Sequence, residues 1–194
     1  LPVLVHGTQT ESRRITASSV LETLGIPTMA GVQPITDGSV AHIDTGVLHP
    51  GLKRLLEVRQ TVGLRNPGHS VVKLMQPGVG TQIVVSSYTH PEYFSMICDT
   101  FATLQMQAVL TRGLEGEVVS DPRRTPQIHG FVNGEHTELA TQQPGTLSEV
   151  PGLPTEIDAA TTADYTRRVL AGDAPVPESI ARQVHHITTI AARL

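Results

Sequence analysis

Two carboxylates, Glu115 and Glu117, stand two residues apart in the glycine-rich run Arg112-Gly113-Leu114-Glu115-Gly116-Glu117. Oxygen donors so spaced suit Mg²⁺, a hard cation. Without a third ligand the same pair also makes an ordinary solvated acidic turn. Other residues suit anions. Arg13-Arg14, Arg65, Lys73 and Arg123-Arg124 lie in polar or turn-forming stretches, and guanidinium groups match phosphate geometry. His69 follows the turn sequence Asn66-Pro67-Gly68, so it and Arg65 can face an anion at the start of a helix near Ser70. A helix cap and a surface ion pair explain the same residues equally well. His6-Gly7 closes an apolar run, where glycine allows a tight turn and close approach of a ligand. The nine histidines show no metal-ligand spacing, and no G-x-S-x-G, P-loop or C-x-x-C pattern is present.

These residues need elements to hold them. The run 2–5 reads as a short strand ending at His6-Gly7. Val20, Leu21 and Leu24 give 18–24 a helical period, stopped by Gly25 and Pro27. A second helix is expected over 52–62 and a short one over 70–75. The β-branched run 82–87 reads as a strand. Thr89-His90-Pro91-Glu92 then offers a T-x-x-E capping box for a helix over 91–106, and 108–111 is the next strand. Strand, helix, strand at this spacing implies a parallel βαβ unit. Asn133-Gly134 between apolar residues predicts a hairpin within 126–140. A loop over 141–155 and helices over 159–171 and 177–194 follow. The expected fold class is α/β: a mixed, mostly parallel sheet flanked by helices, with a small β-hairpin, all in one domain over 1–194. Ligands in such sheets bind beyond the carboxyl ends of the strands, which marks His6, Thr89, His90, Arg112 and Gly113.

Composition narrows the function classes. The 194 residues are 39% hydrophobic and 16% charged, enough for a core. No apolar run approaches the roughly 20 residues that span a bilayer, so no membrane partner is expected. A single cysteine, Cys98, cannot form an internal disulfide, which fits a reducing, cytoplasmic setting. Residues 1–124 balance ten basic against ten acidic groups, and the net charge of −4 arises in 125–194. This is not the profile of a strongly basic nucleic-acid binder. The chain opens on Leu1 in an apolar strand, which leads to the expectation that further residues precede it.

The order of these signals resembles one family. Val5-His6-Gly7 followed by Val20-Leu21-Glu22-x-Leu24-Gly25-Ile26 resembles the HG…VLE-x-LG segment of anthranilate phosphoribosyltransferases. Gly63-Leu64-Arg65 with Leu74 and Pro77, and Pro91-Glu92, resemble later segments of the same enzymes. Ser87-Tyr88-Thr89-His90-Pro91-Glu92-Tyr93, Arg112-Gly113-x-Glu115-Gly116-Glu117, Asp121-Pro122-Arg123-Arg124 and 158–172 are similar to the YbiB-like branch. The resemblance implies the C-terminal α/β part of the family fold. It leaves the family's N-terminal helical domain and its Gly-rich, pyrophosphate-gripping loop without a counterpart. Full-length relatives are homodimers through that helical domain, so this chain is expected to be monomeric or to expose an apolar face.

The departures bear on chemistry. Where the enzymes have Asn-Arg after His-Gly, this chain has Thr8-Gln9, and of the serine pair only Ser12 remains. The adjacent Asp-Glu of the enzymes' metal loop falls on Val118-Val119. Pyrophosphate departure builds negative charge that a metal must stabilise, so no catalytic residue is assigned, no cofactor is expected, and Glu115 and Glu117 are left as the metal candidates. The resemblance to the YbiB-like branch implies instead that single-stranded DNA or RNA binds in the former substrate cleft, through His6, Gly7, Arg13, Arg14, Arg65, His69, Lys73, Thr89, His90, Arg112, Gly113, Arg123 and Arg124. Six aromatics leave little for base stacking. The alternative is an active phosphoribosyltransferase using phosphoribosyl pyrophosphate and Mg²⁺ with an aromatic or heterocyclic acceptor.

Overall fold

The computed structural model describes residues 1–11, 13–113 and 116–194. They form two compact units, 1–72 with 152–174, and 73–151 with 175–194. The α/β class holds, but the strands divide between two sheets rather than one. Three strand pairs are parallel and two antiparallel.

The first unit is built on a three-stranded, all-parallel sheet in the order β1-β3-β2. Its strands are β1 (Val3–Gly7), β2 (Thr28–Met29) and β3 (Val40–Asp44). Neither β2 nor β3 has a sequence signature: β2 is two residues long, and His42 and Asp44 interrupt the apolar pattern of β3. Thr16 caps helix α1 (Ala17–Thr23) through the Ser19 N–H. Asp44 caps the single turn α2 (Thr45–Leu48), and Pro50 opens α3 (Pro50–Val62), which Gly63 ends in the left-handed region. The helix expected at 70–75 begins earlier, as the four-residue α4 (Gly68–Val71) continued by a 3-10 turn. Helix α6 (Ala159–Ala171), capped by Asp158, packs against α1.

The second unit is a four-stranded sheet in the order β4-β5-β6-β7. β4 (Ile83–Tyr88) and β5 (Gln107–Arg112) are parallel, joined by α5 (Glu92–Thr103) as the βαβ spacing predicts. β6 (Ile128–Val132) and β7 (Glu135–Ala140) are the expected hairpin, and they extend this sheet antiparallel. Asn133 and Gly134 both take positive φ, 50° and 77°, as a two-residue primed turn requires. Strand alternation divides the core. Ala108 and Leu110 meet Ile97 and Phe101 of α5 on one face. On the other, Val109 and Ile128 meet Ile190 of α7 (Glu178–Ala191). Cys98 packs half-buried beside the α5 core, and burial pushes its thiol up, so it acts there as a small hydrophobe. The Thr89–Glu92 capping box does not form. Pro91 is itself the N-cap, already at helical angles, and no side-chain cap bond is made. Among the described residues no helix is long and apolar enough to cross a membrane.

Candidate functional site

In the first unit the carboxyl ends of β1 and β3 lie side by side, with Gly7 opposite Asp44. Asp44 accepts from the Gly46 N–H at 2.7 Å and from Lys53 Nζ at 3.0 Å. Burial alone would raise its carboxyl, but Lys53, Gly46 and the Thr8 hydroxyl together hold it below the ordinary value. Thr8, one of the two positions where the enzymes have Asn-Arg, is thereby tied to the scaffold. Gln9 donates to the carbonyls of Glu11 and Arg14 at 3.3 and 3.5 Å, so the loop after β1 folds on itself. The pKa of His6 is lowered by burial and by His42, and its Nδ1 is buried without a partner.

Arginines surround this loop. Glu11 lies 3.0 Å from Arg14 Nε and 3.1 Å from Arg59 on α3, so one carboxylate serves two guanidinium groups. Arg13 and Arg65 are exposed and form no ion pair among the described residues. His69 is pressed below its ordinary pKa by burial, against its bond to Asn66, and further by Arg59 and Arg65. The Gly68 N–H at the start of α4 is already taken by Asn66 Oδ1 at 2.9 Å, and α4 has only four residues, so the anion-binding helix start expected near Ser70 is not formed. Ser12 lies outside the described residues.

In the second unit Tyr88 and Arg112 end β4 and β5 as register partners. Lys73 Nζ donates to the Ser87 carbonyl and hydroxyl, both at 3.3 Å, and the Ser87 hydroxyl donates to the Gly116 carbonyl at 3.2 Å. A Cβ on Gly113 would stand 2.5 Å from the Glu117 carbonyl oxygen, so the loop's return over the strand end demands glycine there. Glu117 is exposed, while Glu115 lies outside the described residues. Thr89 is half-buried and His90 exposed beside Tyr93. Arg112 is exposed and free of ion pairs among the described residues.

Helix α7 fixes the loop that follows. Gln183 donates to the Val118 carbonyl at 2.7 Å and accepts from the Ser120 N–H at 2.9 Å, and Ser179 donates to the Asp121 carbonyl at 2.7 Å. Val118 and Val119 are left exposed, with no oxygen donor in their side chains. These positions therefore do not fit Mg²⁺. Arg123 is bound twice by Asp121, at 3.0 and 2.9 Å, and these bonds, with the charges of Arg123 and Arg124, hold Asp121 below its ordinary pKa.

The expected residues thus fall into two groups. His6, Gly7, Arg13, Arg14, Arg65 and His69 belong to the first unit, and Lys73, Thr89, His90, Arg112, Gly113, Arg123 and Arg124 to the second. Arg59, Lys53, Asp44 and Gln183 are additions. Sequence patterning does not single them out, because a polar residue on a helix face or at a strand end reads as solvated until its partner is known.

No family model matches the chain. It is 34% identical over 188 residues to the uncharacterized protein YbiB of Escherichia coli K12, an alignment covering 94% of this chain and 58% of YbiB. It is 23% identical over 197 residues to the anthranilate phosphoribosyltransferase of Metallosphaera sedula, covering 98% of this chain and 56% of the enzyme. The chain spans a little over half the length of these relatives. It is a homologue of YbiB and, more distantly, of an anthranilate phosphoribosyltransferase.

Proposed function

We propose that this protein is a catalytically degenerate relative of the anthranilate phosphoribosyltransferases, of the YbiB-like branch, that binds single-stranded nucleic acid through the arginines beside its strand ends. The observation that carries the reading is the shared carboxylate of Glu11. Arg14 and Arg59 both use it, while Arg13 and Arg65 have no acidic partner among the described residues, so this part of the first unit gathers more positive than negative charge. In the second unit Arg112 likewise has no ion-pair partner among the described residues, whereas Arg124 shares the field of Asp121 with Arg123. Loss of the transferase reaction is supported by Val118-Val119, which α7 holds in place without metal-ligating atoms.

Such binding rests on phosphate contacts, so it is sequence-tolerant and weakens steeply with salt. The rival is an active phosphoribosyltransferase, which requires Mg²⁺ and phosphoribosyl pyrophosphate to bind together. Calorimetry of that donor with and without Mg²⁺, beside anisotropy of a labelled single-stranded oligonucleotide, separates the two. Nucleic-acid binding without Mg²⁺-dependent donor binding is the expected result, and the reverse pattern overturns the proposal.

A further inference from the structure

Sequence-tolerant base stacking needs an exposed aromatic ring on a rigid mount, close to a charge that takes phosphate. Among the described residues, five of the six phenylalanines and tyrosines are buried or half-buried, and Tyr93, at 39% exposure, is the exception. Tyr93 lies in the first turn of α5, where its N–H donates to the His90 carbonyl at 3.0 Å. The exposed His90 ring meets the Tyr93 ring at 6.0 Å and 66°, so the two form a corner of aromatic surface. Pro91 between them stiffens the backbone. Arg112, exposed and without an ion pair among the described residues, ends the neighbouring strand as the register partner of Tyr88. Burial raises the Tyr88 pKa and the Arg112 charge opposes it, which places the guanidinium near that hydroxyl. His90 is two residues past Tyr88, at most about 7 Å along the chain, so one nucleotide can touch both the rings and the cation. The other exposed ring of this unit is less suited. His136 is stacked on Phe131 and bonded to His129 at 2.9 Å, and its strand carries Glu135 and Glu138, which repel phosphate. Glu92 and Asp99 line a groove along α5, and they direct a strand away from that helix, toward Arg112.

We infer that Tyr93 and His90 form a base-stacking subsite for single-stranded nucleic acid, with Arg112 taking the adjacent phosphate. This subsite rests on the nucleic-acid reading above and adds the base to the groups recognised. Stacking and phosphate contact leave different marks on affinity. A stacked base releases no counterions, so it tightens binding without changing the salt slope, whereas Arg112 contributes to the slope. Bases of a duplex are already stacked on one another and are closed to Tyr93. The protein therefore prefers a single strand to a duplex, and a strand with bases to one without.

The test is anisotropy of a labelled single-stranded oligonucleotide and of an abasic strand of equal length, each across a salt series. The proteins are the unmodified chain, Tyr93→Ala, Tyr93→Phe and Arg112→Ala, with circular dichroism as the check on folding. The unmodified chain is expected to bind the strand with bases about five- to a hundredfold more tightly than the abasic one. Tyr93→Ala should lose that preference at an unchanged salt slope, and Tyr93→Phe should keep it, because the ring and not the hydroxyl stacks. Arg112→Ala should keep the preference and flatten the slope by about 0.7. The chain has no tryptophan, so quenching of tyrosine emission by the bound strand, lost in Tyr93→Phe, reports the stack directly. Equal affinity for the abasic strand, or Tyr93→Ala binding both strands as the unmodified chain does, overturns the subsite and leaves phosphate binding standing. Absence of binding to either strand overturns the nucleic-acid reading and the subsite with it.

Discussion

Arg59 on α3 reaches Glu11, 48 positions earlier in the chain, with 3.1 Å between guanidinium and carboxylate. Arg14 approaches the same carboxylate at 3.0 Å. One negative charge thus restrains two positive ones, and its removal should favour a polyanion. Glu11→Gln is expected to bind single-stranded DNA more tightly. Its plot of log affinity against log salt should steepen by about 0.7 for each phosphate newly contacted. Anisotropy titrations at several salt concentrations measure both effects, and an unchanged slope removes these arginines from the binding surface.

Gln183 holds the Val118 loop by two hydrogen bonds, to the Val118 carbonyl and from the Ser120 N–H. Gln183 is 4% exposed, so Gln183→Leu leaves the buried Ser120 N–H and the part-buried Val118 carbonyl without this partner. The expected loss is about 1–3 kcal/mol for each group left unpaired. Denaturant unfolding of the variant checks this, and a loss below about 0.5 kcal/mol, the range of a neutral surface change, means that the loop is anchored otherwise.

Gly113 and Gly7 both end strands but differ in surroundings. A Cβ at Gly113 meets the Glu117 carbonyl oxygen at 2.5 Å, whereas one at Gly7 meets nothing within 4 Å. Gly113→Ala should cost about 1–3 kcal/mol through overpacking, and Gly7→Ala should be nearly neutral. Equal thermal stability of the two variants would show that the loop moves aside freely.

Buried histidines set the pH response. His129 and His42 lie below their ordinary pKa of 6.5, chiefly through burial. The folded state therefore binds fewer protons than the unfolded chain. Stability is full above pH 6.5 and falls as pH drops through and below that value, by up to about 1.4 kcal/mol per pH unit for each histidine. Unfolding midpoints between pH 8 and 5 should decline accordingly, and His129→Gln should shallow the decline. A midpoint that rises on acidification contradicts the assignment.

The elements most legible in the sequence are those fixed by local chemistry. Asn133-Gly134 announces its hairpin because both positions need positive φ, and Gly172 ends α6 where the left-handed cap requires it. β3 is not legible, because His42 and Asp44 occupy positions where the pattern leads one to expect hydrophobes. His42 is satisfied there by Thr28, 2.9 Å away, a partner fixed only by strand pairing. The candidate site is legible in part for the same reason. Its arginines can be named from sequence, but whether Arg123 is spent on Asp121, or Arg59 shares Glu11, depends on which loops meet. The His129–His136 contact is wholly a product of register.

The central claim is that unpaired arginines beside the strand ends bind nucleic-acid phosphate. Arg13→Ala with Arg65→Ala removes two that have no ion-pair partner among the described residues, at exposed positions where folding should be unaffected. The decisive measurement is anisotropy of a labelled single-stranded oligonucleotide across a salt series, with the unmodified protein and this double variant. Steep salt dependence, with the variant weaker and its slope shallower by about 0.7 per lost contact, is the expected result. Affinity indifferent both to salt and to the loss of Arg13 and Arg65 would contradict it.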